Sequence, residues 1–138
     1  MDKFIGETKK SMKKIETNNA PAPGGHYSQG VSASGFVFVS GQLPITPGGR
    51  KLSGASIEEQ VTQCLDNVLA VVKSAGGSKR SIAKITIYVA DMELWNEVDR
   101  TYALFFGEHK PARAVVPTSP LHFGFLVEID AIAAVDSE

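Results

Sequence analysis

An α+β fold is predicted for this chain: a mixed sheet with two helices on one face, in the order β-β-α-β-α-β-β. Three observations predict it. Two segments of helical apolar spacing alternate with short runs rich in Val, Ile and Phe. The central strand–helix–strand step favours a parallel, right-handed crossover, while the flanking strand pairs favour antiparallel hairpins. The run Phe36-Val37-Phe38-Val39 is apolar on both faces of a pleat. Two helices cover one face of such a sheet and no more, so the other face needs a second cover, and self-association is the simplest one.

The elements follow in order. Residues 1–19 lack clear periodicity and read as a mobile, solvated arm ahead of a single domain at 20–138. Met12 offers a second possible start. Pro21-Ala22-Pro23-Gly24-Gly25 is an irregular lead-in, followed by a strand from Tyr27 to about Ser32, a turn at Ala33-Ser34-Gly35 and the Phe36–Val39 strand. Ser56 with Glu59 is a capping-box signature. Behind it Ile57, Val61, Leu65, Val68, Leu69 and Val72 recur at helical spacing until Gly76-Gly77 stops the helix. A strand over 82–90 alternates Ala83, Ile85, Ile87 and Val89 with Lys84, Thr86 and Tyr88. Asp91 caps a second helix of roughly 93–107, whose stripe is Leu94, Trp95, Val98, Tyr102, Phe105 and Phe106. Pro111 precedes a strand near Ala112–Val116, a turn-rich loop holds Pro117, Pro120 and Gly124, and a long strand over about 126–135 ends the pattern.

Composition narrows the function classes. A chain of 138 residues, 43% hydrophobic and 21% charged, suits one domain with a core of its own. Its net charge of −1 gives no general attraction to nucleic acid or anionic membrane. The basic cluster Lys9, Lys10, Lys13 and Lys14 precedes no apolar stretch, and no segment approaches a membrane span; the cytoplasm is the expected location. The single cysteine, Cys64, excludes an internal disulfide. It falls near the apolar stripe of the first helix and reads as a small buried hydrophobe rather than a nucleophile.

No phosphate loop, dinucleotide fingerprint, nucleophile elbow or zinc-protease motif is present. His26, His109 and His122 are far apart and lack zinc-ligand spacing, so no metal site is expected. Arg113 is the residue that calls for an explanation. It sits in an apolar strand, and a planar guanidinium pairs best with a carboxylate, bidentately. If the last two strands form a hairpin about the 118–125 loop, Arg113 lies near Asp130 with Glu128 as a diagonal neighbour. Pattern alone favours a structural ion pair. The same geometry also describes an empty carboxylate receptor with a general base beside it.

A resemblance bears on that choice. Ala20-Pro21-Ala22-Pro23 leading to Tyr27-Ser28-Gln29-Gly30, and Phe38-Val39-Ser40-Gly41-Gln42-Leu43-Pro44, resemble the opening of Rid (reactive intermediate deaminase) family proteins. Leu65-Asp66-Asn67-Val68, Lys84-Ile85-Thr86-Ile87-Tyr88-Val89 and Tyr102-Ala103-Leu104-Phe105-Phe106 are similar to its middle. Pro111-Ala112-Arg113 and Val127-Glu128-Ile129-Asp130-Ala131-Ile132-Ala133 complete the match in order, over roughly residues 13–135.

The resemblance implies a chorismate-mutase-like fold and a homotrimer with sites in the clefts between subunits. It implies hydrolysis of 2-imino acids, the tautomers of enamines such as 2-aminoacrylate, to 2-oxo acids and ammonia, without metal or organic cofactor. It assigns Arg113 to the substrate carboxylate, Glu128 to the attacking water, and Tyr27 and Ser40 to the site wall. One cation and one carboxylate suit the chemistry, since an iminium carbon is already electrophilic and needs mainly a fixed substrate and a placed water. The chain departs from the family's common pattern at His26, at Asp99 where Asn is common, at Val115-Val116-Pro117, and at His122-Phe123-Gly124-Phe125; these positions bear on substrate range. The rival readings are an endoribonuclease or translation inhibitor, which wants a basic, aromatic-lined groove, and a non-catalytic module binding small carboxylates, which has no need of Glu128.

Overall fold

The computed structural model describes residues 11–135. The first ten residues of the expected arm, and the last three of the chain, lie outside the described residues. Six strands form one sheet: β1 (Lys13–Ile15), β2 (Gly30–Ala33), β3 (Phe36–Gln42), β4 (Ile82–Val89), β5 (Ala112–Pro117) and β6 (Val127–Ala134). Helix α1 (Ile57–Ser74) follows β3, and helix α2 (Trp95–Phe106) connects β4 to β5. The sheet order is β1-β2-β3-β6-β4-β5, with β4–β5 the one parallel pair. The α+β class and the two-helix cover agree with the expectation.

Local chemistry explains the boundaries. Ser56 Oγ accepts from Glu59 N at 3.1 Å at the start of α1. Asp91 caps a short 3-10 turn, Met92–Leu94, that leads into α2. The β2–β3 hairpin turns at Ser34 (φ 54°) and Gly35 (φ 83°), both left-handed, as a tight hairpin matched to strand twist requires.

Two expectations are corrected. The solvated arm does not extend to residue 19: Lys13–Ile15 pairs antiparallel with β2, and Ile15 is buried. Gln29 then ties down the following turn, accepting from Thr17 N and donating to the carbonyls of Thr17, Ala20 and Pro21. A three-residue strand with one apolar anchor shows no periodicity, yet it satisfies the backbone groups of β2 that an open edge would leave bare.

The second correction concerns the predicted β5–β6 hairpin. β6 instead lies between β3 and β4, so β5 and β6 are not neighbours. Burial accounts for the order. Val127, Ile129, Ala131 and Ala133 are all buried under the helices, and a strand with so continuous an apolar face belongs in the sheet centre. β5 has no comparably buried residue and takes the edge.

The helix-covered face packs Val37, Val39, Ile85, Ile87, Val89 and Ile129 against Val61, Leu65, Val68 and Val72 of α1. The opposite face is open in the single chain. Phe36 and Phe38 remain 45% and 44% exposed there, with Ala134 and Ile132 as their cross-strand partners. Large aromatic side chains are thus left in contact with solvent in the middle of the sheet.

Candidate functional site

The end of β3 is built for a cleft. Val39 pairs with Ala131 but Gln42 pairs with Ile129, so β3 carries one residue more than β6 across this span. The resulting bulge re-aims Ser40 and Gly41. Ser40 Oγ donates to Ser28 O at 2.6 Å, and Ser40 N donates to Gln29 O at 3.0 Å, which anchors the bulge to the lead-in segment. Glu128 is the second residue of the facing strand β6, and its carboxylate occupies the space that a side chain at position 41 would fill. Around these groups opens a cleft of about 980 Å³ walled by Tyr27, Ser40, Gly41, Lys51, His122 and Glu128 among others.

Buried amides brace the rim. Asn67 of α1 donates to Leu43 O (3.2 Å) and Ile45 O (2.9 Å), holding the loop after β3. Gln60 donates to Ala55 O and accepts from Leu126 N at 2.9 Å, fixing the entry to β6. On the far wall Phe123 adopts a left-handed conformation (φ 56°, ψ 19°) that costs a bulky residue on the order of 1 kcal/mol. Ser53 Oγ donates to its carbonyl at 2.8 Å and the Lys51 ammonium sits 4.7 Å from its ring centre, contacts that offset the cost.

Glu128 makes no hydrogen bond or ion pair with any described residue. Its pKa is raised above the ordinary carboxylate value, chiefly by burial and then by the negative charge of Asp130, with His122 pulling the other way. Asp130, by contrast, accepts from Tyr88 Oη at 3.1 Å. Glu128 is thus a carboxylate of this cleft without a protein partner among the described residues, and its raised pKa favours the protonated form more than an ordinary carboxylate's would.

Arg113 lies elsewhere. It is in register with Ile85, whose side chain is on the helix-covered face, whereas Glu128 is in register with Tyr88 on the open face. The two residues therefore project from opposite faces, with β4 between their strands and about 10 Å of sheet width separating them. The partner of Arg113 is neither Asp130 nor Glu128 but Asp99 of α2, at 2.8 Å. The β5–β6 adjacency that would have placed it beside Asp130 does not exist. Tyr27, Ser40 and Glu128 meet in one cleft; within one chain Arg113 does not join them.

The remaining candidates have structural places. Cys64 is fully buried, and burial pushes its thiol well up. A ring nitrogen of His109 lies 2.7 Å from Ile82 O. Among the described residues no cluster of three His, Cys, Asp or Glu side chains is placed to hold a metal ion, and no helix is long and apolar enough to cross a membrane.

The family model described as Endoribonuclease L-PSP, which takes in the Rid proteins, matches residues 17–135. The chain belongs to this family. A RutC family protein of Pyrococcus horikoshii is 42% identical over 119 residues, covering 86% of this chain and 94% of that protein. A 2-iminobutanoate/2-iminopropanoate deaminase of Escherichia coli is 40% identical over 124 residues, covering 88% and 96%. Among solved structures, E. coli TdcF with bound serine superposes with a TM-score of 0.85 at 36% identity, covering 90% of this chain and 99% of that one.

For this Rid-family chain, sequence reasoning passed over three features. Gly41 makes room for Glu128, a demand that its place in the Ser40-Gly41-Gln42 motif does not reveal. The buried Gln60 and Asn67 sit on the apolar side of α1, and a polar residue at such a position is the available signal of a loop brace. Asp99, a departure from the family's common Asn, is the partner of Arg113. Its spacing to Trp95 and Tyr102 held the clue, since positions i, i+4 and i+7 share one helix face.

Proposed function

We propose that this chain hydrolyses 2-imino acids to 2-oxo acids and ammonia, as a homotrimer whose sites pair Glu128 of one copy with Arg113 of the next. The observation that carries the reading is the unpartnered Glu128 carboxylate, its pKa raised by burial, in a cleft with Tyr27 and Ser40. The relatives support the substrate class: one is a deaminase of 2-iminobutanoate and 2-iminopropanoate, and another binds serine, which presents the same carboxylate beside a substituted carbon. The open face with Phe36 and Phe38 supports self-association. The opposite-face placement of Arg113 and Glu128 makes a second copy necessary if both act on one substrate.

In this scheme Arg113 of a neighbouring copy holds the carboxylate and Glu128 takes a proton from water. The water oxygen bonds to C2 of the iminium, and the C=N π electrons move to nitrogen. The Glu128 carboxyl returns its proton to the amine of the tetrahedral intermediate. The C–N bond breaks, ammonia departs, and the carbonyl forms as the hydroxyl gives its proton to the again ionised Glu128, which passes it to the ammonia to leave ammonium and the free carboxylate. A raised carboxylate pKa suits a group that accepts and then returns a proton near neutral pH. Ser40 and Tyr27 form the wall against which the substrate lies.

Glu128→Gln tests the scheme. The amide keeps the volume and one acceptor but not the base, so kcat should fall by about two orders of magnitude or more. The affinity for pyruvate, measured by calorimetry, should change little. Full turnover of 2-iminopropanoate by this variant would remove Glu128 from the reaction.

A further inference from the structure

On α2 the side chains of Trp95, Asp99 and Tyr102 share one face, and Arg113 of β5 lies across all three. Its guanidinium carbon is 4.8 Å from the Tyr102 ring centre and 5.8 Å from that of Trp95, and Nη1 donates to Asp99 Oδ1 at 2.8 Å. The two rings set the position of the fork, and the carboxylate occupies one of its ends. Asp99 is the one described residue that accepts a hydrogen bond from the Arg113 side chain.

The pair is not sealed. The Arg113 side chain is 22% exposed and that of Asp99 is 42% exposed, so a small carboxylate from solution can reach the same nitrogens. A bidentate carboxylate needs two parallel N–H groups, and one nitrogen of this fork is already committed. An incoming anion must displace Asp99 or share the guanidinium with it at like-charge cost.

We propose that Asp99 is an internal competitor for the Arg113 guanidinium, a built-in carboxylate that weakens the hold on substrate carboxylates and sets the affinity of the site. This rests on the reading of Arg113 as the carboxylate receptor given above. The competition is self-limiting in kind: it lowers the fraction of free receptor and leaves the reacting groups on the other side of the substrate untouched. A partly exposed ion pair of this sort leaves the receptor free for about a sixth to two-fifths of the time, and apparent affinity falls to that fraction of its intrinsic value. The opposite role, in which Asp99 serves only to hold Arg113 in its productive orientation, makes the reverse forecast.

Asp99→Asn, nearly isosteric, separates the two in the full-length protein. Pyruvate is titrated calorimetrically into wild type, D99N and R113A, and initial rates are followed with enzymatically generated 2-iminopropanoate. For D99N, Kd and KM should fall by about twofold to sixfold while kcat stays within about twofold. Asp99→Ala should move both constants in the same direction, and thermal melts establish that each variant is folded. Unchanged or weaker binding by folded D99N overturns the proposal while R113A still loses pyruvate. If R113A binds pyruvate and turns over like wild type, the receptor reading itself fails.

Discussion

Alanine at position 41 places a methyl group where the Glu128 carboxylate now lies. Built on the existing backbone, the new Cβ overlaps Glu128 Oε2 and stands 3.2 Å from Cδ and 3.5 Å from Cγ. The backbone at 41 is committed by the bulge, so the flexible end of Glu128 is the part that yields. Swinging it away forces the carboxyl toward Asp130 or out into the cleft, and because the yielding atoms are the end of a flexible side chain the cost in stability is about 1 kcal/mol or less. The functional loss should be larger in proportion: a catalytic group displaced by ~1 Å costs on the order of 10²-fold in rate. Coupled assay of 2-iminopropanoate hydrolysis and thermal melting of wild type, G41A, E128Q, E128A and the two double mutants measures both effects. Because the methyl acts through Glu128, the rate losses of G41A and E128Q should not multiply, and G41A should destabilise the E128A background less than the wild type. Multiplying rate losses, or a fully active G41A, would refute the claim that Gly41 exists to seat Glu128.

As the proposed base, Glu128 would need its charge, so its raised pKa should put the acid limb of kcat/KM above the ordinary carboxylate range, with activity lost as pH falls through it. The His122 charge opposes that rise, so His122→Gln should move the limb to higher pH; a limb that stays put would separate His122 from the base. The open sheet face should be an assembly surface. Light scattering should report about three times the 14.7 kDa chain mass, and Phe38→Asp should give smaller species with lost activity, whereas a monomeric, active wild type would exclude a shared site.

Much of the fold was legible because its signals are local. The cap at Ser56, the stripe from Ile57 to Val72 and the turn at Ser34-Gly35 each depend on residues a few positions apart, and each stands where the pattern placed it. The apolar two-sidedness of Phe36–Val39 also reads directly, as buried Val37 and Val39 beneath exposed Phe36 and Phe38. β1 was illegible for the complementary reason: three residues with a single buried side chain hold no period, and the pairing with β2 supplies what local pattern lacks.

The sequence by itself determined the family, the α+β class and three of the side chains that meet in the cleft, Tyr27, Ser40 and Glu128. Those properties rest on residue types in a fixed order, which the linear chain carries in full. Tertiary structure alone decided which strands are neighbours. With β6 drawn to the sheet centre by its buried alternate residues, Arg113 was left on the edge, on the face opposite Glu128, and Asp99 became its partner. Strand parity specifies a face only once the neighbouring strand is known, and long-range pairing is settled by the burial of whole apolar faces, a quantity that no local stretch of sequence contains.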